Sequence, residues 1–237
     1  MPAVGTAASL GLAQNGKAEG KARLREGVEP REGEALIVVD VQNDFCPGGA
    51  LEVPEGDQVL PLVNSLVERY GKNVIYTQDW HPKGHKSFAS SHEGKNPLET
   101  IDLPYGAQTL WPDHCVQGSG GAAFHSDLDV RADATVVRKG DNPAVDSYSA
   151  FTENDKNTKT GLADIVAQQG YTAVTVVGLA FDFCVRWTAE DAAALPGVKS
   201  VRIFRDATRS VGLPGSVDAA EKALAAAGVA VENCAAQ

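Results

Sequence analysis

Residues 174–192, VTVVGLAFDFCVRWTAEDA, constrain the rest of the chain most strongly. Val174 to Val177 form a mostly β-branched run that ends in Gly178 and leads into a segment of helical composition, which reads as a buried strand turning into a helix. Cys184 falls at that turn. A thiol at a helix N-terminus faces unsatisfied backbone N–H groups and the positive end of the helix dipole, and both favour the thiolate. Cys184 is therefore the candidate nucleophile. The competing reading is an inert core cysteine among Phe181, Phe183 and Trp187. Two other cysteine chemistries are excluded at once. No second cysteine lies three residues away, and Glu190 stands where a C-x5-R phosphatase loop needs arginine.

Similar apolar runs recur, each delivering a polar residue at its C-terminal end. Ala35 to Val39, a continuous run of the kind buried on both faces of a parallel sheet, leads to Asp40. Asn73 to Thr77 leads to Asp79, and Ala134 to Arg138 leads to Lys139. Between and after them lie helical patterns. Asp57 to Tyr70 carries one apolar stripe and is stopped by Gly71; a helix capped by Thr160 runs to Gln169; a third spans Ser216 to Ala227. Further strands are expected at Val198 to Phe204 and Val229 to Val231. The alternation predicts an α/β three-layer sandwich, with a central, mainly parallel sheet of about six strands flanked by helices. In such sheets ligands bind outside the carboxyl ends of the strands, which is where Asp40, Asp79, Lys139 and Cys184 collect.

Two regions fall outside this pattern. Residues 1–34 have too few apolar positions to bury a face and are expected to form a mobile extension, with the catalytic domain occupying 35–237. Residues 80–131, rich in Gly, Pro, His and Ser, are far longer than an ordinary connection and read as a functional insertion. Gly118, Gly120 and Ala123 nearly match a dinucleotide loop, but no strand precedes them, so they read as a turn.

Composition narrows the partners. With 31 acidic and 21 basic residues and a formal charge of -10, the chain is a poor match for nucleic acid or an anionic membrane surface. No apolar run approaches the roughly 20 residues of a membrane span. Cys46, Cys115, Cys184 and Cys234 are widely spaced, which fits a reducing compartment and predicts a cytoplasmic protein.

Asp79 and His81, two residues apart on extended chain, point to one face. With His114 they make a set of two imidazoles and one carboxylate that suits Zn, Fe(II) or Mn with coordination positions left open. The plainer alternative is a solvated polar loop, and for Asp40 and Lys139 a structural ion pair. A buried pair is costly to desolvate, and its place at strand ends facing the site favours catalysis: the carboxylate takes the thiol proton and the ammonium favours the thiolate.

The segments VVDVQNDFCPGGAL (38–51), TQDWHPKGHKSFAS (77–90), LWPDHCVQG (110–118), RKG (138–140), VDSYSAF (145–151) and GLAFDFCV (178–185) together resemble the isochorismatase-like cysteine hydrolases, on their metal-bearing nicotinamidase branch. The resemblance covers about Ala35 to the C-terminus. It implies a catalytic triad of Asp40, Lys139 and Cys184, and metal ligands Asp79, His81 and His114, with His85 of variable role. It also implies substrate contacts from Phe45, Trp111, Tyr148, Leu179 and Ala180, and a cis peptide between Leu179 and Ala180. The activity implied is hydrolysis of nicotinamide, and of pyrazinamide, through a thioester, with one divalent metal, zinc ahead of iron or manganese. The expected partner is a small pyridine carboxamide, and a homo-oligomeric state is left open. Phe181 and Phe183 replace smaller residues common in relatives. The alternatives are a sister hydrolase, an isochorismatase or carbamoyl amidohydrolase, which metal content would separate, and a non-catalytic scaffold, which turnover would exclude.

Overall fold

The computed structural model describes residues 21–236. Its centre is a sheet of six parallel strands, β1 (Glu34–Val39), β2 (Val74–Asp79), β5 (Thr135–Lys139), β6 (Ala173–Leu179), β7 (Ser200–Arg209) and β8 (Ala230–Glu232), in the order β5-β2-β1-β6-β7-β8. β1, β2 and β6 are buried along their whole length, which accounts for their continuous apolar runs. Residues pointing to the two faces enter two separate cores. Leu36 and Val38 of β1 pack with helix α1 (Leu60–Tyr70), while Ile37 and Val39 pack with residues of α2 (Leu162–Gln168), α3 (Arg186–Ala193) and α4 (Ser216–Ala226). The expected three-layer α/β architecture is the observed one, and every pairing in the large sheet is parallel.

Several boundaries differ from expectation for local reasons. The helix expected from Asp57 begins as a 3-10 turn, Gly56–Val59, and becomes α-helical at Leu60, where Pro61 lies in the first turn; proline fits there because its missing N–H has no intrahelical partner to lose. β6 runs through Gly178 to Leu179 instead of stopping at the glycine. Gly178 has φ +104°, and a Cβ there would lie 2.2 Å from the carbonyl oxygen of Val39, so only glycine lets β6 pass this close to the end of β1. The insertion contains a small antiparallel hairpin, β3 (Thr100–Leu103) and β4 (Gly106–Thr109).

The mobile extension expected for residues 1–34 needs correction over its described part. Val28 is fully buried in the core, Leu24 bridges to Ala235, and Ala22 N–H donates to Pro61 O. Glu34 is the first residue of β1. Residues 1–20 lie outside the described residues. Among those described, no helix is long and apolar enough to cross a membrane.

Candidate active site

Three neighbouring strands end at one place. β1 leads to Asp40, β2 ends in Asp79, and β5 ends in Lys139, paired in register with Asp79. The strand–turn unit that follows β6 brings Cys184 beside them. Asp40 turns the chain with φ 47°, a left-handed conformation tolerated by aspartate. Thr77 holds it there: the Asp40 N–H donates to Thr77 Oγ1 at 3.2 Å, and the threonine hydroxyl donates to Asp40 Oδ1 at 2.6 Å.

Lys139 is the hub, with 1 % of its surface exposed. Its ammonium donates to Asp79 Oδ1 at 2.5 Å, to Ser147 O at 2.9 Å and to Cys184 Sγ at 3.4 Å. It also lies 2.9 Å from Asp40 Oδ2, an ion pair outside hydrogen-bond geometry, which leaves that oxygen without a hydrogen-bond partner. A carboxylate oxygen of Asp40 lies within 4.8 Å of Cys184 Sγ. Burial lowers the proton affinity of Lys139, but the Asp40 and Asp79 carboxylates more than restore it, and its pKa ends well above the ordinary value. Burial raises Asp79, yet Lys139 and His81 outweigh it and hold this carboxyl well below the usual range. For Asp40 burial prevails over Lys139, so its carboxyl is raised.

The environment of Cys184 corrects one expectation. Cys184 lies inside a π-helical turn, Phe181–Val185, that precedes α3, and not at the first turn of an ordinary helix. Burial, reinforced by Asp40 and Asp79, pushes the thiol well above its ordinary pKa despite the lowering effect of Lys139. Desolvation therefore works against the thiolate-favouring effects of the dipole and of Lys139.

Beside Asp40, Lys139 and Cys184, Asp79 Oδ2 lies 3.5 Å from His81 Nε2 and 3.7 Å from His114 Nε2. A parallel bridge between His81 and Val116 draws the His114 segment to this point. His81 Nδ1 lies 2.8 Å from Gly140 O and His114 Nδ1 2.8 Å from Pro112 O. A carbonyl only accepts, so both Nδ1 atoms carry the proton and both Nε2 lone pairs face Asp79. His81 Nε2 is buried with no hydrogen-bond partner. This orphaned lone pair, with a second imidazole nitrogen and a carboxylate oxygen all within 4.8 Å, fits a divalent cation of the zinc type. Gly140, at φ +68°, is required here because a Cβ would lie 2.5 Å from the His81 ring. His85 does not join this set. Its Nδ1 accepts from the Ser87 N–H at 3.1 Å and lies 2.7 Å from Ser87 Oγ, and its Nε2 donates to Asn142 O at 2.8 Å.

The pocket above Cys184 is walled by Phe45, Trp111, Tyr148, Phe183, Leu51, Val53 and Val211, with Asp79, His114, Asp146 and Ala180 also at its surface. Of the expected contacts Phe45, Trp111, Tyr148 and Ala180 are there. Leu179 is not: its side chain is fully buried in the core beneath, and only its cis peptide to Ala180 belongs to the site. Phe183 meets Trp111 and Tyr148 edge-on, at 5.1 and 5.5 Å between ring centroids, whereas Phe181 does not line the pocket and is fully buried in the core that Phe183 packs against. Sequence reasoning missed Thr77, Ser147 and Gln42. Gln42, fully buried, donates to Asp79 O and accepts from the Asp79 N–H, both at 2.8 Å, so it fixes the backbone of the metal-facing aspartate.

Comparison with known proteins gives the family of the chain. A model of the Isochorismatase domain matches residues 34–235, and the chain belongs to that family; it is an enzyme of the hydrolase class. Its named relatives narrow the class. A nicotinamidase of Acinetobacter baylyi is 49% identical over 195 residues, 82% of this chain and 90% of the relative. The structure of an Acinetobacter baumanii nicotinamidase/pyrazinamidase superposes with a TM-score of 0.82 at 46% identity, covering 86% of this chain and 97% of that one. A Pyrococcus horikoshii pyrazinamidase solved in complex with zinc gives 0.69 at 35% identity, covering 85% and 99%.

Proposed function

We propose that this enzyme is a nicotinamidase, which hydrolyses nicotinamide to nicotinate and ammonia, accepts pyrazinamide, and serves NAD salvage. The observation that carries the reading is the single ammonium of Lys139 in contact with Asp40 and with Cys184 Sγ and Asp79, the last two at the surface of an aromatic pocket. The relatives of the same family named as nicotinamidases and pyrazinamidases supply the substrate class.

Asp79, His81 and His114 are the residues that would hold a divalent cation, and the zinc in the Pyrococcus relative favours zinc. When bound, the cation supplies a Lewis acid for the ring nitrogen of the substrate. The flat ring lies among Phe45, Trp111 and Tyr148, which brings the carboxamide carbon to Cys184.

The thiol gives up its proton as the sulfur attacks. Asp40, whose carboxyl is raised by burial and whose Oδ2 is ion-paired with Lys139 at 2.9 Å, accepts that proton while Lys139 balances the charge passing between carboxylate and sulfur. The C–S bond forms as the carbonyl opens, and the backbone N–H groups of Ala180 and Cys184 receive the oxyanion. Asp40 returns the proton to the departing nitrogen, ammonia leaves, and a thioester remains. Water then gives a proton to Asp40 and adds to the thioester, and the C–S bond breaks to restore the thiol and release nicotinate.

The test follows ammonia and nicotinate with nicotinamide as substrate, Cys184→Ala as control and benzamide as the analogue lacking the ring nitrogen. Equal yields of both products are expected from the native enzyme, a rate lower by about 10⁴-fold or more from the variant, and slower turnover of benzamide. Undiminished nicotinate release by Cys184→Ala would overturn the nucleophile. Cleavage of another amide or of a vinyl ether instead of nicotinamide would move the enzyme to a sister branch.

A further inference from the structure

We infer that Asp182, two residues before the nucleophile, is a positioning residue that sets the bore of the substrate pocket by holding Val211 against it, and thereby limits the ring substituents the enzyme accepts. The inference rests on the amidase reading for its substrates and on geometry for the clamp.

Asp182 is 2 % exposed, yet its carboxylate bonds to nothing in its own turn that the pocket needs. It accepts from three donors of one distant segment: the Val211 N–H at 2.9 Å on Oδ1, and the Gly212 N–H at 2.9 Å and the Ser216 hydroxyl at 2.5 Å on Oδ2. Val211 lines the same pocket as Cys184. The π-helical turn that presents the thiol and the segment that presents this wall are thus joined through one carboxylate. Hydrogen bonds to an ionised acceptor are the stronger kind, and three of them fix a segment tightly.

The other walls are held differently. Trp111, Tyr148 and Phe183 brace one another edge-on, and the Trp111 indole N–H donates to Tyr148 Oη at 3.2 Å. Leu51 and Val53 are anchored by backbone bonds from their N–H groups to Asp44 O and Phe45 O, at 3.0 and 3.1 Å. The backbone N–H groups of Val211 and Gly212 instead end on the Asp182 side chain. Val211 packs against the core and its backbone is held by the Asp182 carboxylate, so loosening that carboxylate lets this wall shift; a methyl-sized change in a pocket wall alters discrimination by about 10- to 200-fold.

Asp182→Asn keeps the shape but replaces one acceptor oxygen by an N–H₂ that faces donors. The experiment compares kcat/KM for nicotinamide and for a ring-methylated nicotinamide in the native enzyme, Asp182→Asn, Ser216→Ala, Val211→Ala and the Asp182→Asn/Val211→Ala double variant. The preference for the unsubstituted ring is expected to fall about tenfold in Asp182→Asn and less in Ser216→Ala. The double variant should be no less selective than Val211→Ala alone, because both changes act on one wall. In parallel, alkylation of Cys184 by iodoacetamide and by a bulky N-aryl iodoacetamide is followed by peptide mass spectrometry, which reads the bore without any turnover. The bulky reagent should gain on the small one in Asp182→Asn. If both substrates slow in proportion and the alkylation ratio is unchanged, Asp182 is only structural and the inference fails. Additive effects in the double variant would equally overturn it. If the native enzyme fails to turn over nicotinamide, the amidase reading falls, and the alkylation ratio alone decides for or against the clamp.

Discussion

Lys139 and Arg202 are both buried cations on strands of one parallel sheet, Lys139 at the C-terminal end of β5 and Arg202 near the N-terminal end of β7. Around Arg202 every hydrogen-bonding group is matched. Its guanidinium donates to Glu34 Oε2 and Thr175 Oγ1 at 2.9 Å and to Tyr70 Oη at 3.0 Å, while the Thr175 hydroxyl donates to the other Glu34 oxygen at 2.7 Å. Around Lys139 the matching is incomplete by two atoms. Among the described residues, Asp40 Oδ2 and His81 Nε2 are two of three buried side-chain polar atoms without a hydrogen-bond partner. A satisfied cluster fixes strand register; an unsatisfied one holds capacity for a proton and a cation. The position of the unmet valences, more than the presence of buried charge, separates the two ends.

The comparison breaks most readily at Lys139. Lys139→Met keeps most of the side-chain length and removes the charge, so turnover per folded molecule should fall by about 10²- to 10⁴-fold. Native turnover with circular dichroism unchanged would make the lysine structural, like Arg202. The converse variant, Arg202→Met, strands a buried carboxylate and should lower unfolding free energy by about 3 kcal/mol or more in urea titrations, with turnover per folded molecule unchanged. A loss of activity without loss of stability would erase the distinction. His81→Ala removes the orphaned lone pair and should weaken metal binding about 10- to 100-fold, read as bound zinc after dialysis by elemental analysis; full metal content would show that the orphan has another purpose.

The smallest effect sharpens the structural end. Burial pushes the Tyr70 hydroxyl up to about 12, from near 10 in the unfolded chain. Between those values the folded state holds the proton that the unfolded state has lost. Stability is therefore complete below pH 10 and falls as pH rises toward 12, by at most about 1.4 kcal/mol per unit for this group. Urea titrations from pH 9 to 11.5 should show a shallower decline in Tyr70→Phe. The slope that remains belongs in part to Tyr76, which burial raises to about 12 as well. An unchanged slope in the variant would mean that Tyr70 is not buried as described.

Much of the architecture was legible because β1, β2 and β6 are buried on both faces and write that burial as unbroken apolar runs, each with its polar residue at the end. The signal fails where burial and periodicity part. Strands β3 and β4 read Thr-Ile-Asp-Leu and Gly-Ala-Gln-Thr and are largely exposed, so no apolar pattern marks them. Residues 21–34 looked unfit to pack, yet Val28 buried in the core, Ala22 and Leu24 packed against it, and an Arg25–Glu232 ion pair at 2.6 Å seat the segment. At Cys184 the local sequence carries the helix dipole, while the desolvation that raises the thiol comes from the walls closing over it and is written in no single segment. Gln42 and Thr77 were missed because their work is done through hydrogen bonds across strands, which no single segment displays.

β5 has a strand partner on one side only, since it is the edge of the large sheet. Its last residue is Lys139, fastened to β2 by Asp79 and to the end of β1 by Asp40. The charges that serve the thiol thus also act as the seam that closes an edge strand. Edge elements are among the first to open under mild stress, so the enzyme should fall silent through fraying of one strand while the rest of the sheet is still folded, and cation binding at Asp79 would stitch that margin shut.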